Sequence, residues 1–202
     1  MKSGRTRSRI QHNAKEDEIG KIVITEFVSL DGVIEDPGGA EEFEHGGWTF
    51  EIDRGEGDAF KLEETMNTDA LLLGRVTYEG FAAAWPTREG EFADKFNTMP
   101  KYVVSSTLSD PEWTNTTVLS GDVPAEVAKV KEQHDGDVVV HGSARLAQTL
   151  LENDLVDELR LMVFPVVLGK GRRLFGESGK KRLQLQSSRE VGDGVMILVY
   201  GR

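Results

Sequence analysis

The sequence predicts an α/β fold: three layers, α/β/α, around a mixed central sheet with a strand-rich C-terminal end. Three observations carry that expectation. Short apolar runs, among them Ile22-Val23-Ile24, Leu71-Leu72-Leu73 and Val138-Val139-Val140, lack the alternation of a strand buried on one face and read as parallel strands covered on both sides. Stretches with apolar residues at helical spacing lie between them, as the crossovers of a parallel sheet require. After Asp154 the helical spacing stops and strand-like runs follow one another, which makes the sheet mixed.

Residues 1–20 carry Lys2, Arg5, Arg7, Arg9 and Lys15, with Ile10 and Ile19 as their large aliphatics. Such a segment buries little and is expected as a disordered basic tail, with residues 21–202 as the folded domain. The first strand, Ile22 to Val28, ends at an Asp31-Gly32 turn, and a polar, glycine-rich stretch runs from Glu35 to Gly57. Ala59, Leu62 and Met66 recur at helical spacing, and Ala70 to Leu73 is a second strand stopped at Gly74. Phe92, Phe96 and Met99 mark a helix ended by Pro100, and Tyr102 to Ser105 is the third strand. Thr117 to Leu119 is the fourth, and Asp122 with Pro124 opens a helix through Val127 and Val130, since Asp caps and Pro suits a first turn. Val138 to Val140 is the fifth strand, and Gly142-Ser143 starts a helix with Leu146 and Leu150 on one face. Strands from Glu158 to Phe164, Arg182 to Glu190 and Val195 to Tyr200 close the chain, the last two joined across Gly192-Asp193-Gly194.

Composition excludes several classes of chemistry. The chain has no cysteine, so it has no disulfide, thiolate zinc site, iron–sulfur cluster or Cys nucleophile, and no zinc deaminase half-site. A formal charge of −11 disfavours binding to a phosphate backbone, and no nucleic-acid partner is expected. No apolar run approaches the roughly 20 residues that cross a bilayer, and no secretory signal is visible, so the expected location is the cytoplasm and no membrane partner is expected. His12, His45 and His134 lie apart, and no metal site is predicted. His45, among Glu41, Glu42 and Glu44, reads as part of a solvated loop or of a lid over a substrate.

Two segments run from a buried strand through a glycine into a helix. Val138-Val139-Val140-His141-Gly142-Ser143-Ala144-Arg145-Leu146 offers unpaired first-turn N–H groups beside a glycine that admits a ligand close to the backbone. A tight turn with a Ser cap accounts for the same residues. Leu71-Leu72-Leu73-Gly74-Arg75-Val76-Thr77-Tyr78-Glu79 repeats the arrangement, and two such seats suit a dinucleotide. Gly169-Lys170-Gly171 is followed by Arg172-Arg173-Leu174-Phe175 rather than by the helix and Lys-Ser/Thr of a P-loop.

With Ser29-Leu30-Asp31-Gly32, Tyr102-Val103-Val104-Ser105-Ser106, Asp157-Glu158-Leu159-Arg160-Leu161 and Phe164-Pro165-Val166-Val167-Leu168-Gly169-Lys170-Gly171, these segments resemble, in order over about residues 21–201, the dihydrofolate-reductase-like superfamily. The resemblance is greatest to its branch containing the riboflavin-pathway pyrimidine reductase domain, here the reductase half alone. It implies an NADPH site across the C-terminal edges of the central strands. Gly74, Arg75 and Thr77 would lie near the adenosine side and pyrophosphate, Ser105 and Ser106 beside the 2′-phosphate, and Gly142, Ser143, Ala144, Arg145 and Leu146 around the pyrophosphate, with Gly32 near the cofactor. Ser143 replaces the second glycine of the family's Gly-Gly pair; it keeps the N–H, adds a hydroxyl and allows a less close approach.

The resembled activity is hydride transfer, for which the protein supplies orientation and a dry wall. Leu30, Trp48, Trp85, Phe164 and Pro165 are the apolar candidates for that wall and for the substrate pocket, and ordinary core positions fit them too. Asp31, at a strand end beside Gly32, is the candidate carboxylate for substrate orientation or proton donation, and a plain Asp-Gly turn is the competing reading. The expected function is NADPH-dependent reduction of a small heterocycle, of the 5-amino-6-(5-phosphoribosylamino)uracil type in riboflavin biosynthesis. The alternatives are a dihydrofolate or pterin reductase and a nucleotide-binding protein of the same fold without turnover. A homodimer is expected through the C-terminal strands, because Leu159 to Phe164 and Val195 to Tyr200 are apolar on both alternating faces and no helical segment follows to cover them.

Overall fold

The structure is a computed structural model that describes residues 19–177 and 179–202. The expected tail at 1–20 lies outside the described residues except for Ile19 and Gly20. In chain order the elements are β1 (Lys21–Ser29), α1 (Gly57–Met66), β2 (Thr68–Gly74), α2 (Arg75–Ala84), α3 (Glu91–Thr98), β3 (Lys101–Val104), β4 (Thr116–Leu119), α4 (Val123–Glu132), β5 (Asp137–His141), α5 (Ala144–Glu152), β6 (Glu158–Phe164), β7 (Gln184–Val191) and β8 (Val195–Gly201).

The eight strands form one sheet in the order β4-β3-β2-β5-β1-β6-β8-β7. The first six in that order pair in parallel, whereas β8 runs antiparallel to both β6 and β7. The mixed three-layer α/β/α arrangement is thus as expected. The reason lies in burial: Ile22 to Ile24, Leu71 to Leu73 and Val138 to Val140 are all 0% exposed, so both sheet faces are covered at the centre. Side chains alternate between those faces. Ile22, Ile24, Leu72, Val138 and Val140 meet Val127 and Val130 of α4 and Leu146, Ala147 and Leu150 of α5. Leu71, Leu73 and Val103 meet Tyr78 of α2 and Phe96 of α3 on the other side.

The strand-rich end differs from the expectation in one respect. One face of β6 and β8, with Met162, Phe164, Val195 and Ile197, is covered from within the chain by Trp48, Ile52 and Phe60. The glycine-rich stretch before α1 holds a single 3-10 turn at Trp48–Glu51 that brings Trp48 there. The opposite face carries the buried Leu159 and Leu161 with the half-buried Val163, Leu198 and Tyr200, and among the described residues no helix follows α5 to complete its cover. β7 is an exposed edge strand whose Ser187, Ser188, Arg189 and Glu190 suit solvent.

Candidate active site

The chain moves from β1 past one strand position to β2, outward to β3 and β4, and then returns with β5 to fill the position between β2 and β1. Connections leaving β1 and β2 therefore diverge, and a crevice opens over the C-terminal end of β5, where open α/β sheets bind ligands. The strand ends are level there: Gly74 pairs with Val104, Val104 with Leu119, and Thr25 with His141. A cleft of about 1450 Å³ runs along this edge, from Ser120 and Gly121 after β4 to Glu26 and Phe27 of β1, with Asp36 to Ala40 and Phe50 as its outer wall.

Two helices start at the middle of the cleft, and one residue joins them. Ser143 sits at the start of α5 with φ 58 and ψ 47, left-handed. Its Oγ accepts the Gly74 N–H at 2.9 Å, and its own N–H donates to Thr77 Oγ1 at 3.0 Å. The Ser143 donor that sequence assigned to a ligand is therefore spent on the α2–α5 junction. The N–H groups of Ala144, Arg145 and Leu146 in the first turn of α5 have no preceding turn to bond, and all three residues line the cleft. Space is tight where the backbones meet: a Cβ on Gly142 would come within 3.3 Å of Thr77 Oγ1.

The other predicted cofactor positions divide. Gly74, Arg75, Thr77, Ser105, Ser106, Gly142 and Ser143 all line the cleft, whereas Gly32 does not. Arg75 is ion-paired with Glu79, its Nη1 donating to both carboxylate oxygens at 2.8 and 2.9 Å. Ser105 Oγ accepts the N–H groups of Thr107 and Leu108, which shapes the loop and leaves Ser106 as the exposed hydroxyl.

Of the apolar candidates the structure brings Trp85 alone to the cleft. Trp48 is 2% exposed, its indole N–H bonded to Glu35 O and its ring 5.4 Å from that of Phe164. Both are core, because β6 turns Phe164 inward under the 3-10 turn. Leu30 is 63% exposed on the loop after β1, and Pro165 lies in the exposed segment after β6. The aromatic wall is built instead from Phe81 on α2, Trp85 at its C-terminal cap, and Phe92 and Phe96 on α3, with Trp85 stacked on Phe92 at 5.2 Å. Their spacing of four residues on each helix was a visible signal.

Asp31 is likewise absent from the cleft lining. Its carboxylate accepts Ser29 Oγ–H at 2.7 Å and the N–H groups of Leu168 and Gly169 at 3.1 and 2.9 Å, with Arg173 at 3.4 Å. These donors, Ser29 foremost, hold it at about 2, and its bonds latch the loop after β1 to the segment after β6. Ion pairs of Arg172 with Glu35 and Glu41, and of Lys170 with Glu44, fasten the same two segments. The loop containing His45 is thereby tied down.

A different set of ionisable groups occupies the cleft floor. Lys61 of α1 donates to Thr25 Oγ1 at 2.7 Å and pairs with Glu64, which also accepts Thr25 Oγ1–H at 3.0 Å and faces Arg160. Glu26 is 6% exposed, and its Oε1 has no hydrogen-bond partner. Burial pushes Glu26 well above the usual carboxylate range, against the pull of Lys61 and the Gly142 N–H. His141, between the rings of Phe81 and Phe96, is pushed well below its usual value by burial, with Lys61 adding to the effect. Glu26, Lys61 and His141 were not anticipated as site residues. The polar Thr25-Glu26 pair inside an otherwise apolar strand was the available signal. Among the described residues no cluster of His, Asp and Glu could hold a metal ion, and no helix is long and apolar enough to cross a membrane.

Residues 20–197 match the family model of the RibD C-terminal domain. Two uncharacterized proteins of Bacillus subtilis (strain 168) are similar over nearly their whole length. YwjB is 29% identical over 178 residues, covering 88% of this chain and 95% of its own. YyaP is 28% identical over 186 residues, covering 89% and 94%. A solved structure from Shewanella sp. PV-4, of a protein assigned to riboflavin biosynthesis, superposes with a TM-score of 0.71 at 21% identity, over 90% of this chain and 98% of that one. A pyrimidine reductase-like protein from Corynebacterium diphtheriae gives 0.61 at 14% identity, over 90% and 91%. Both structures share the fold.

Proposed function

The chain belongs to the RibD C-terminal domain family, and from that premise we propose that residues 21–202 form an NADPH-dependent reductase of a small heterocycle, of the 5-amino-6-(5-phosphoribosylamino)uracil type. One observation carries the reading. The cleft, at about 1450 Å³, exceeds the roughly 300–1,000 Å³ of a pocket for one small ligand, so it has room for a dinucleotide and a second molecule side by side.

The residues present fit that pair. The α5 N-terminus and the glycine junction suit a pyrophosphate, with Arg145 lining the same stretch. Ser106, and Arg75 once it exchanges Glu79 for a ligand, suit a phosphate monoester on the adenosine side. The Phe81, Trp85, Phe92 and Phe96 wall excludes water, and Glu26 and Lys61 bring polar groups to the β1 end, where the second molecule would lie. A reduced nicotinamide, when bound, supplies hydride to an electrophilic carbon; this chain holds the two molecules in register and keeps solvent from between them. The partly covered face of β6 and β8 suits a second copy of the same chain, so the proposed assembly is a homodimer.

Calorimetric titration with the two nicotinamide cofactors tests the reading. Tighter binding of NADPH than NADH is expected, with Arg75→Ala weakening NADPH selectively by about 1.5–3 kcal/mol, the range of a hydrogen bond to a charged group. Binding of neither cofactor would overturn the proposal.

A further inference from the structure

Two carboxyls stand near the cleft floor, and their surroundings differ in kind. Glu64 is ion-paired with Lys61 and Arg160 and accepts a hydrogen bond from Thr25; its Oε1 also lacks a hydrogen bond but faces Arg160 at 3.6 Å, and the residue does not line the cleft. Glu26, on the neighbouring strand position, has no ion pair among the described residues, and its Oε1 is buried without a partner while the residue lines the cleft. A buried polar atom is normally bonded, so one left open at a cavity wall is a group awaiting a ligand.

We propose that Glu26 is the proton donor of this cleft, presenting a carboxylic acid O–H to a nitrogen of the heterocyclic substrate. The assignment rests on the reductase reading above and deepens it. Hydride from a reduced nicotinamide adds to the carbon of a C=N bond, the π pair moves to nitrogen, and the Glu26 O–H bond breaks to give N–H. The carbon is reduced by two electrons, the nicotinamide is oxidised by two, and the Glu26 carboxylate regains its proton from water. The acceptor is a neutral imine or ring nitrogen, whose lone pair takes the O–H that Glu26 presents.

The ionisable groups around Glu26 are consistent with that cycle. Lys61 and Glu64 come from α1, His141 from β5 and Arg160 from β6, while Arg145 of α5 lines the cleft. Lys61 attracts the carboxylate left after transfer, and Glu64 opposes it. Burial favours the protonated form of Glu26 and the neutral form of His141, the forms in which neither adds charge to the site before reaction.

The test has two arms on the whole protein. Carbon-13 NMR of glutamate-labelled protein, with the Glu26 signal identified by its loss in Glu26→Gln, should show a carboxyl titrating above the ordinary value of about 4.3. In steady-state assays of NADPH oxidation, Glu26→Gln should lower kcat by about 100-fold or more, leave NADPH affinity and KM within a few-fold, and abolish the alkaline limb of the wild-type kcat profile. Titration at the ordinary value, or a variant with wild-type kcat and pH profile, would overturn the proposal. If the wild type oxidises NADPH with no pterin or ribosylaminopyrimidine, the reductase reading falls and the donor step with it, while the NMR arm still reports whether the cleft holds Glu26 as an acid.

Discussion

Asp31 and Glu26 lie close together at the end of β1 yet are driven in opposite directions. Asp31 collects donors from Ser29, Leu168 and Gly169 and is held at about 2, whereas burial outweighs the Lys61 charge and the Gly142 N–H at Glu26 and pushes it well above its usual range. The stability consequences have opposite signs. A carboxyl depressed on folding contributes fully above its unfolded value of about 3.9, and that contribution is lost as pH falls toward 2. The contribution of Glu26 is full below its unfolded value near 4.3 and is lost as pH rises through its raised folded value. Asp31→Asn turns an NH2 donor toward N–H donors, because the amide nitrogen must face the N–H of Leu168 or Gly169. It should cost about 1–3 kcal/mol at pH 7, read by urea unfolding, with the deficit shrinking between pH 4 and pH 2. A deficit independent of pH would contradict the latch. In sequence, Asp-Gly after a strand serves a turn and a site equally well, and which partners reach it from residues 168–173 is a long-range fact that no local pattern encodes.

At the scale of elements, the α2–α5 junction shows what local patterns do encode. Strand, glycine and helix were legible at Leu71 to Glu79 and at Val138 to Leu146, because apolar continuity, a permissive turn residue and helical spacing are all local. The bond from the Gly74 N–H to Ser143 Oγ is not local, and it changes what Ser143 does. Ser143 also occupies a left-handed conformation, which costs a non-glycine residue roughly 1–2 kcal/mol. Ser143→Gly should therefore be near neutral for stability, relief of strain offsetting the lost hydrogen bond. Ser143→Ala keeps the strain and loses the bond, and should lower stability by about 1 kcal/mol. Thermal unfolding of the two variants checks the ordering, and equal losses in both would contradict it. Of the aromatic wall the sequence reading had Trp85 alone; Phe81, Phe92 and Phe96 escaped it because their periodicity is that of any amphipathic helix, and only the cleft shows which aromatic side chains line it.

The whole molecule is a parallel α/β half that carries the cleft, continued by an antiparallel end. The mixed sheet was readable from the change of periodicity after Asp154. The cover for that end was only half readable, since Trp48 reaches Phe164 from far away in sequence. The other face is covered in part: Leu159 and Leu161 are buried, while Val163, Leu198 and Tyr200 beside them are half-buried. If a second copy completes that cover, light scattering at micromolar concentration will give a mass near twice 22.3 kDa, and a mass near 22.3 kDa would contradict the dimer. The central claim, that the cleft seats a reduced nicotinamide against a heterocycle and passes hydride between them, is tested most directly by following the loss of NADPH absorbance against a panel of pterins and ribosylaminopyrimidines. The account predicts oxidation that depends on at least one member of the panel and is faster with NADPH than with NADH. Saturable NADPH binding with no oxidation beyond the substrate-free rate for any member would contradict it.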